Sequence, residues 1–324
     1  MKKQNRFSGF QNLSLLIIFL VIIILFWSID RQFFSLVSLK NMLLSISVIG
    51  ITAVPMTLLM ISGGVDLSVG ALMGFSSSLV ALLISKNFSS SAAIIITLLA
   101  GAAVGLVNGL IVTKIRVNAF IATIGMLSIL NGIALVMTST KGQTATFSGS
   151  IGIDNKGFGF LGLGELFHIP VQIIILVLFF IIGYIILNHT KFGRKIFASG
   201  ASEKVAILSG INVDRVRIIS FVLTSFTASL GGIILASQFL AGHPRVGTGY
   251  ELLIITAVIL GGTAFTGGIG SIQGVLIGIL IMGSLRYGMD ITGLGEYYKQ
   301  VANGSILLIA VGLGVLREKF VYRI

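Results

Sequence analysis

The residue whose chemistry first demands an explanation is Asp66. It stands in Ile61-Ser62-Gly63-Gly64-Val65-Asp66-Leu67-Ser68-Val69-Gly70, between the apolar runs 43–60 and 71–84. In a bilayer its charged form costs roughly 2.5–3.5 kcal/mol on insertion scales unless it faces protein or water. Gly63 and Gly64 lower helix propensity and let the backbone break, after which Asp66 can cap a helix restarting at Leu67, with Ser68 sharing the cap. A broken helix at membrane depth is tolerated only where it is buried in protein or lines a cavity. The stretch therefore predicts a polar path through a membrane protein. On that path Asp66 acts as a cap, as a hydrogen-bonding group for a polyol, or as a carrier of a proton.

Other polar groups are sparse. Asn108 and Asn131 lie within apolar runs and Asn118 opens one. Their ordinary role is interhelical hydrogen bonding. As pathway groups, with few fixed charges around them, they suit an uncharged polar substrate such as a sugar. Glu251, after Tyr250, opens a further apolar run and reads as a capping or snorkelling residue. There is no G-x-x-x-x-G-K-[ST] to cradle nucleotide phosphates and no H-E-x-x-H. The three histidines, His168, His189 and His243, have no ligand spacing, and the chain has no cysteine. No serine pairs with a histidine and a carboxylate at one depth, so an intramembrane hydrolase is poorly supported.

The elements that must position these groups are membrane helices. Of 324 residues, 55% are hydrophobic and 10% charged, and the mean hydropathy is +1.07; a soluble domain carries about a quarter charged residues. Short alternating segments of the barrel kind are absent. The expected fold is all-α and polytopic, a single transmembrane domain over 1–324 with about ten spans, each near the length a bilayer core requires: 13–29, 43–62, 69–85, 92–113, 118–138, 171–188, 218–240, 251–266, 269–288 and 302–316. Broken or re-entrant segments are expected near 63–70 and 261–270, the latter at Thr266-Gly267-Gly268. The first apolar run follows Lys2, Lys3 and Arg6 but lacks a small-residue cleavage site, so it reads as an uncleaved span.

Charge orients the spans. The formal net charge of +12 is concentrated in the N-terminal tail, segment 191–217 and the C-terminal tail. That is the positive-inside pattern rather than a nucleic-acid surface. Both termini, Lys114-Ile115-Arg116 and 191–217 then fall inside, and 30–42, 86–91, 139–170, 241–250 and 289–301 outside. The 1–12 segment reads as a cytoplasmic tail. The external 139–170 segment is long enough to dock a partner or to be a solvated loop. In the inner 189–217 segment, 201–209 can form a short helix with Ser202 near its start, Gly210 as a stop and an apolar face of Val205, Ala206 and Leu208. Such a helix suits a groove on another protein.

Gly101, Gly105 and Gly109 share one helix face, as do Gly270, Gly274 and Gly278, and close helix packing is the reading preferred over a pore wall. Gly63-Gly64-Val65-Asp66 lines up with Gly261-Gly262-Thr263-Ala264, at a different offset from the ladders. The two matches suggest a two-half architecture of the transporter repeat kind.

Gly63-Gly64-Val65-Asp66-Leu67-Ser68-Val69-Gly70 resembles the GGIDLSVG signature of ribose-type sugar permeases of bacterial ABC importers. The resemblance continues through 119–125, 190–194, 208–213, 247–252 and Gly261-Gly262-Thr263 with Gly267-Gly268. It covers about Ser35 to Leu316. The resemblance implies an inner-membrane permease subunit that pairs with a second permease copy. It also implies a cytoplasmic ABC ATPase, which binds ATP and Mg in place of any cofactor here, and a periplasmic or lipid-anchored sugar-binding protein. By similarity the 191–217 segment is the ATPase-coupling region, with Arg194, Ser202, Glu203, Ala206, Leu208 and Gly210 as its candidate residues, while the substrate pathway read from the residues themselves takes in Asp66, Ser68, Asn108 and Asn131. Gly200-Ala201-Ser202 and Glu251-Leu252-Leu253 depart from Gly-Gly-Asn and Glu-Leu-Asp of many relatives. Relatives also carry xylose, galactose, allose or a furanosyl autoinducer, with ribose the best single expectation here. A proton-coupled secondary carrier with Asp66 as relay is the alternative.

Overall fold

The computed structural model describes residues 2–139, 149–155 and 157–321. In chain order it runs through α1 (Lys2–Ile29), a 3-10 turn (Arg31–Phe34), α2 (Leu36–Ile61), α3 (Val69–Ser85), α4 (Ser90–Thr113) and α5 (Ala119–Thr138). Outside the bundle follow β1 (Ile151–Gly152), α6 (Phe160–Leu163), β2 (Glu165–Leu166) and β3 (Ile169–Pro170). The chain then forms α7 (Val171–His189), α8 (Lys191–Ala201), α9 (Glu203–Leu208), α10 (Val213–Phe239), β4 (Ala241–Gly242), α11 (Tyr250–Leu260), α12 (Ile272–Ile291) and α13 (Glu296–Val321). The N-terminal segment expected as a separate tail is part of α1 from Lys2 onward.

Among the described residues six helices are long and apolar enough to cross a membrane: α2, α4, α5, α7, α10 and α12. Shorter apolar helices are Leu15–Ile29, Val69–Ser85 and Tyr250–Leu260. A helix apolar on every side belongs in the centre of a membrane bundle, and α2 is that helix, with 89% of its apolar window buried against 17% for α5. Around α2 pack α10, α12, α7 and α11, and α3 fills the space between α10 and α5.

The first glycine ladder is a packing device. A Cβ on Gly101, Gly105 or Gly109 would strike Ser229, the Phe221 carbonyl with Val222, and Ile218, all on α10. The backbones therefore approach as only small residues allow. Hydroxyls finish the seam: Ser229 donates to the Thr97 carbonyl at 2.9 Å and accepts from Ser76 at 2.9 Å. We expect Gly105→Leu to force α4 off α10 and lower stability by about 1–3 kcal/mol, whereas Gly304→Leu, with nothing within 4 Å of its Cβ position, should not. Thermal unfolding of the two variants in detergent checks this. In the second ladder Gly274 and Gly278 press on the Gly261 and Ala257 carbonyls of α11 and its end. Gly270 precedes α12, whose N-cap is Ser271, and does not belong to that helix face.

Both expected breaks exist and end the same way. After α2, Gly63 (φ +87°) donates to the Met60 carbonyl and Gly64 to that of Leu59, both at 3.0 Å. After α11, Gly262 (φ +87°) donates to the Ile259 carbonyl at 2.8 Å and Thr263 to that of Val258 at 3.2 Å. Each is a Schellman stop, whose left-handed position favours glycine. The equivalent residues are therefore Gly63 and Gly262, one position from the pairing the sequence suggested.

The second break differs from expectation in extent. α11 ends at Leu260 and α12 begins at Ile272, so no span covers 251–266. With 11 residues, α11 is about 16 Å long at 1.5 Å per residue, half a bilayer core. Segment 240–249, which precedes it, packs alongside α3. Cβ atoms on Gly242, Gly74 and Gly247 would meet the carbonyls of Ser77, Pro244 and Gly70 in turn, and Glu251 closes on Gly70. Hydrogen bonding has to come from neighbours in such a segment, and the His243 amide donates to the Ser77 hydroxyl at 3.1 Å.

Strand signals were not legible in the sequence, yet two-residue ladders form outside the bundle. β1 pairs antiparallel with β4, Ile151 opposite Gly242, and β2 with β3. In the 139–170 segment, 140–148 and 156 lie outside the described residues. Part of the rest packs on the bundle: Phe158 is buried, and the Ser237 hydroxyl at the end of α10 donates to its carbonyl at 2.6 Å and accepts from the Gly162 amide at 2.8 Å, whereas 165–169 is exposed. Lys40 on α2 pairs with Glu165, and the hydrogen bond and charge of Lys40 hold the Glu165 carboxyl below the ordinary range.

Candidate functional site: a polar break above an inner cavity

The Schellman stop after α2 turns Val65 and Asp66 inward, between α4 and α10. One carboxyl oxygen of Asp66 accepts from the Ser68 amide at 2.8 Å and the Ser68 hydroxyl at 2.6 Å. The other accepts from the Ser225 hydroxyl at 3.3 Å and the Asn108 side-chain amide at 3.5 Å. Asn108 also donates to the Ser68 hydroxyl at 3.0 Å. Asp66, Ser68, Asn108 and Ser225 are all fully buried. None of the bonded partners of Asp66 is a cation, so neutral donors from three elements satisfy the carboxyl group. The Asn108 carbonyl oxygen is left without a hydrogen-bond partner.

Capping takes a different form from the one expected. α3 begins at Val69 rather than Leu67, and its N-cap residue Ser68 makes no side-chain capping bond. Ser68 instead spends its hydroxyl on Asp66, which braces the turn two residues before the helix through the Ser68 amide. The structure brings Asp66, Ser68 and Asn108 together and leaves Asn131 out: Asn131 is half-buried on α5, a helix whose buried positions are Thr123, Leu130, Ala134 and Thr138. Ser225 was missed by sequence reasoning. Its signal was present in Ser220, Thr224, Ser225, Thr227 and Ser229, a dense run of hydroxyls on an otherwise apolar helix, every one of them buried.

Beneath the polar break is a cavity of about 510 Å³, walled by Gly63, Gly64, Val65, Asn118, Arg116 and Arg217 among others. It reaches Val65, one residue from Asp66, and ends there, because Asp66 has no exposed surface. The break is thus the closed end of this cavity.

The inner segment meets both breaks at one point. A Cβ on Gly200, near the end of α8, would overlap the Ile61 carbonyl and the Gly268 amide, and that amide donates to that carbonyl at 2.8 Å. α9 follows, with Ser202 as N-cap accepting from the Val205 amide at 3.4 Å and Glu203 in the first turn. Gly210 ends it in the left-handed region. Ala206 is buried and does not belong to the free apolar face; that face is Val205, Ile207 and Leu208, the last 88% exposed. Arg194 is exposed on α8 and takes no part in the ion pairs that follow. Glu203 accepts from Arg217 at 2.8 Å and from Arg116 at 3.4 Å. Asp214 pairs with Lys114 at 2.9 Å and with Arg116 at 3.3 Å. Arg217 also donates through Nε to the Ser62 carbonyl at 3.1 Å. Arg116 and Arg217 had been read only as positive-inside charge.

Comparison with known proteins agrees with this arrangement. Residues 38–311 match the family described as "Branched-chain amino acid transport system / permease component". The ribose import permease protein RbsC of Escherichia coli strain K12 is 38% identical over 296 residues, 91% of each chain. RbsC of Bacillus subtilis strain 168 is 38% identical over 311 residues, 96% of this chain and 95% of its own. The L-arabinose transport system permease protein AraH of Escherichia coli strain K12 is 35% identical over 306 residues, 94% and 91% of the two chains. No solved structure matches the chain. A bundle of apolar helices that breaks at a buried polar cluster, over a cavity, is what a conduit needs, and the chain belongs to the permease-component family of transport systems.

Proposed function

We propose that this chain is the membrane-embedded permease of an ATP-driven, binding-protein-dependent ABC importer for a monosaccharide, ribose being the best single substrate. The observation that carries the reading is α9. Its exposed tip of Val205, Ile207 and Leu208 follows Gly200, which touches both helix breaks, and Glu203, which pairs with Arg217. A chain without a phosphate-binding loop needs an engine elsewhere, and this apolar tip suits a groove on a cytoplasmic ATPase that binds ATP and Mg. Arg194, Ser202, Glu203, Ala206, Leu208 and Gly210 form or hold that contact. The external cap around Phe158 and Glu165 would receive the sugar-binding protein, and a second copy of the chain would complete the conduit.

The finer assignments follow the same reading. Residues 1–324 form a single permease domain in the inner membrane with ten helical passages, α11 and the 240–249 segment together making one. Both termini are cytoplasmic, and the 189–217 segment is the inner coupling face. Asp66, Ser68 and Asn108 form the closed gate on the substrate path, and Asn131 on α5 lies along that path away from the gate. Movement between inward and outward forms is driven by ATP-dependent closure of the partner. Nothing in the arrangement favours a proton-coupled carrier.

A neutral substrate fits the charges. A zwitterionic amino acid would call for unpaired cations and anions, but Arg116 and Arg217, on the cavity wall, are already paired with Glu203 and Asp214. Expressed with its cognate ATPase and binding protein in cells lacking pentose uptake, the chain should accumulate labelled ribose, and excess pentose but not leucine should compete. Accumulation of leucine unaffected by sugars would contradict the proposal.

A further inference from the structure

We propose that Arg217 is the positioning residue that transmits movement of α9 to the helix break at Ser62. This rests on the reading of 191–217 as the ATPase contact. At the end of α2 the last carbonyls need donors from outside the helix. Those of Leu58, Leu59 and Met60 are taken locally, by the amides of Ser62, Gly64 and Gly63. The next two are not. Ile61 receives the Gly268 amide of the second break at 2.8 Å, and Ser62 receives Arg217 Nε at 3.1 Å.

The other end of the same guanidinium, Nη1, donates to Glu203 at 2.8 Å. Glu203 is the first residue of α9. A planar guanidinium holds its donors in a fixed fork, so displacement of Glu203 moves the Nε donor with it. The remaining ion pairs lack this reach. Lys114 and Arg116 are more than half exposed and join only side chains, and such surface pairs contribute little. Arg217 is 16% exposed, lines the inner cavity beside Gly63, Gly64 and Val65, and bonds a backbone atom of the break. The chain of contact is α9 tip, Glu203, Arg217, Ser62, and then the turn that carries Asp66.

Arg217→Lys separates transmission from simple helix capping. Lysine keeps the charge pair with Glu203 but has one nitrogen, so it does not hold both acceptors at those positions. The test uses the assembled transporter, permease with ATPase and binding protein, in proteoliposomes. A wild-type assembly without ATP-driven sugar uptake would overturn the underlying reading and this inference with it. Given wild-type uptake, Arg217→Lys should lower the sugar moved per ATP hydrolysed at least ten-fold, with the half-saturating sugar concentration unchanged. Glu203→Ala, which leaves the Ser62 bond in place and removes the acceptor that links Arg217 to α9, should reproduce that loss. A ratio of sugar to ATP within two-fold of wild type in both variants, whatever the overall rate, would show Arg217 to be a cap alone and would overturn the proposal.

Discussion

Replacing Leu208 by aspartate is expected to abolish uptake while leaving the permease folded in the membrane. Leu208 is 88% exposed at the tip of α9, so the substitution removes no internal contact. In a groove on the partner, the leucine would bury apolar area worth about 1.5–3 kcal/mol, and a carboxylate in its place would add a desolvation cost of several kcal/mol. A combined loss of about 4 kcal/mol or more weakens association about a thousand-fold. Co-purification of the ATPase with the variant should therefore fail, while its thermal unfolding in detergent stays unchanged. Lys204→Asp, also exposed but off the apolar tip, serves as the comparison and should keep the partner bound. Normal sugar uptake by Leu208→Asp would refute the assignment of α9 as the coupling helix.

The second large effect is expected at Asp66. Asp66→Ala removes the acceptor for the Ser68 amide, the Ser68 hydroxyl and the Ser225 hydroxyl, all buried. Each buried group left unsatisfied costs about 1–3 kcal/mol, so losing the Ser68 amide and Ser225 hydroxyl partners alone costs about 2–6 kcal/mol. Asp66→Asn retains one oxygen for the Ser68 amide and should lie between wild type and alanine. Thermal unfolding of the three proteins gives the order directly. A proton relay predicts another pattern in uptake, in which asparagine and alanine are equally inactive.

How much of this was legible in the sequence depends on the range of the interaction. Gly63-Gly64 before Asp66 announced a broken helix, because glycine and a capping residue act within a few positions. Ser202, Glu203 and Gly210 announced α9 for the same reason. The Gly101, Gly105 and Gly109 ladder announced close packing, though not that α10 would be the partner. What composition could not show was depth. The 241–250 segment is short and carries Arg245, so it read as an external turn, yet its path along α3 depends on the paired carbonyls of Ser77, Pro244 and Gly70, contacts between segments about 170 residues apart. The overlong span at 251–266 came from the same cause, since hydropathy does not distinguish α11 from the buried turn that follows it. Ala206 was placed on the free face of α9 by apolarity alone, and packing turned it inward. Arg217 was hidden among other basic residues until the Ser62 carbonyl gave it a partner.

The central claim is that this chain supplies the conduit and a separate ATPase supplies the work. Purified permease reconstituted alone in vesicles, with labelled ribose outside and an imposed pH gradient, measures this most directly. The account predicts no accumulation until the ATPase, ATP and the sugar-binding protein are added, and accumulation against a gradient once they are. Concentrative uptake by the permease alone would contradict it.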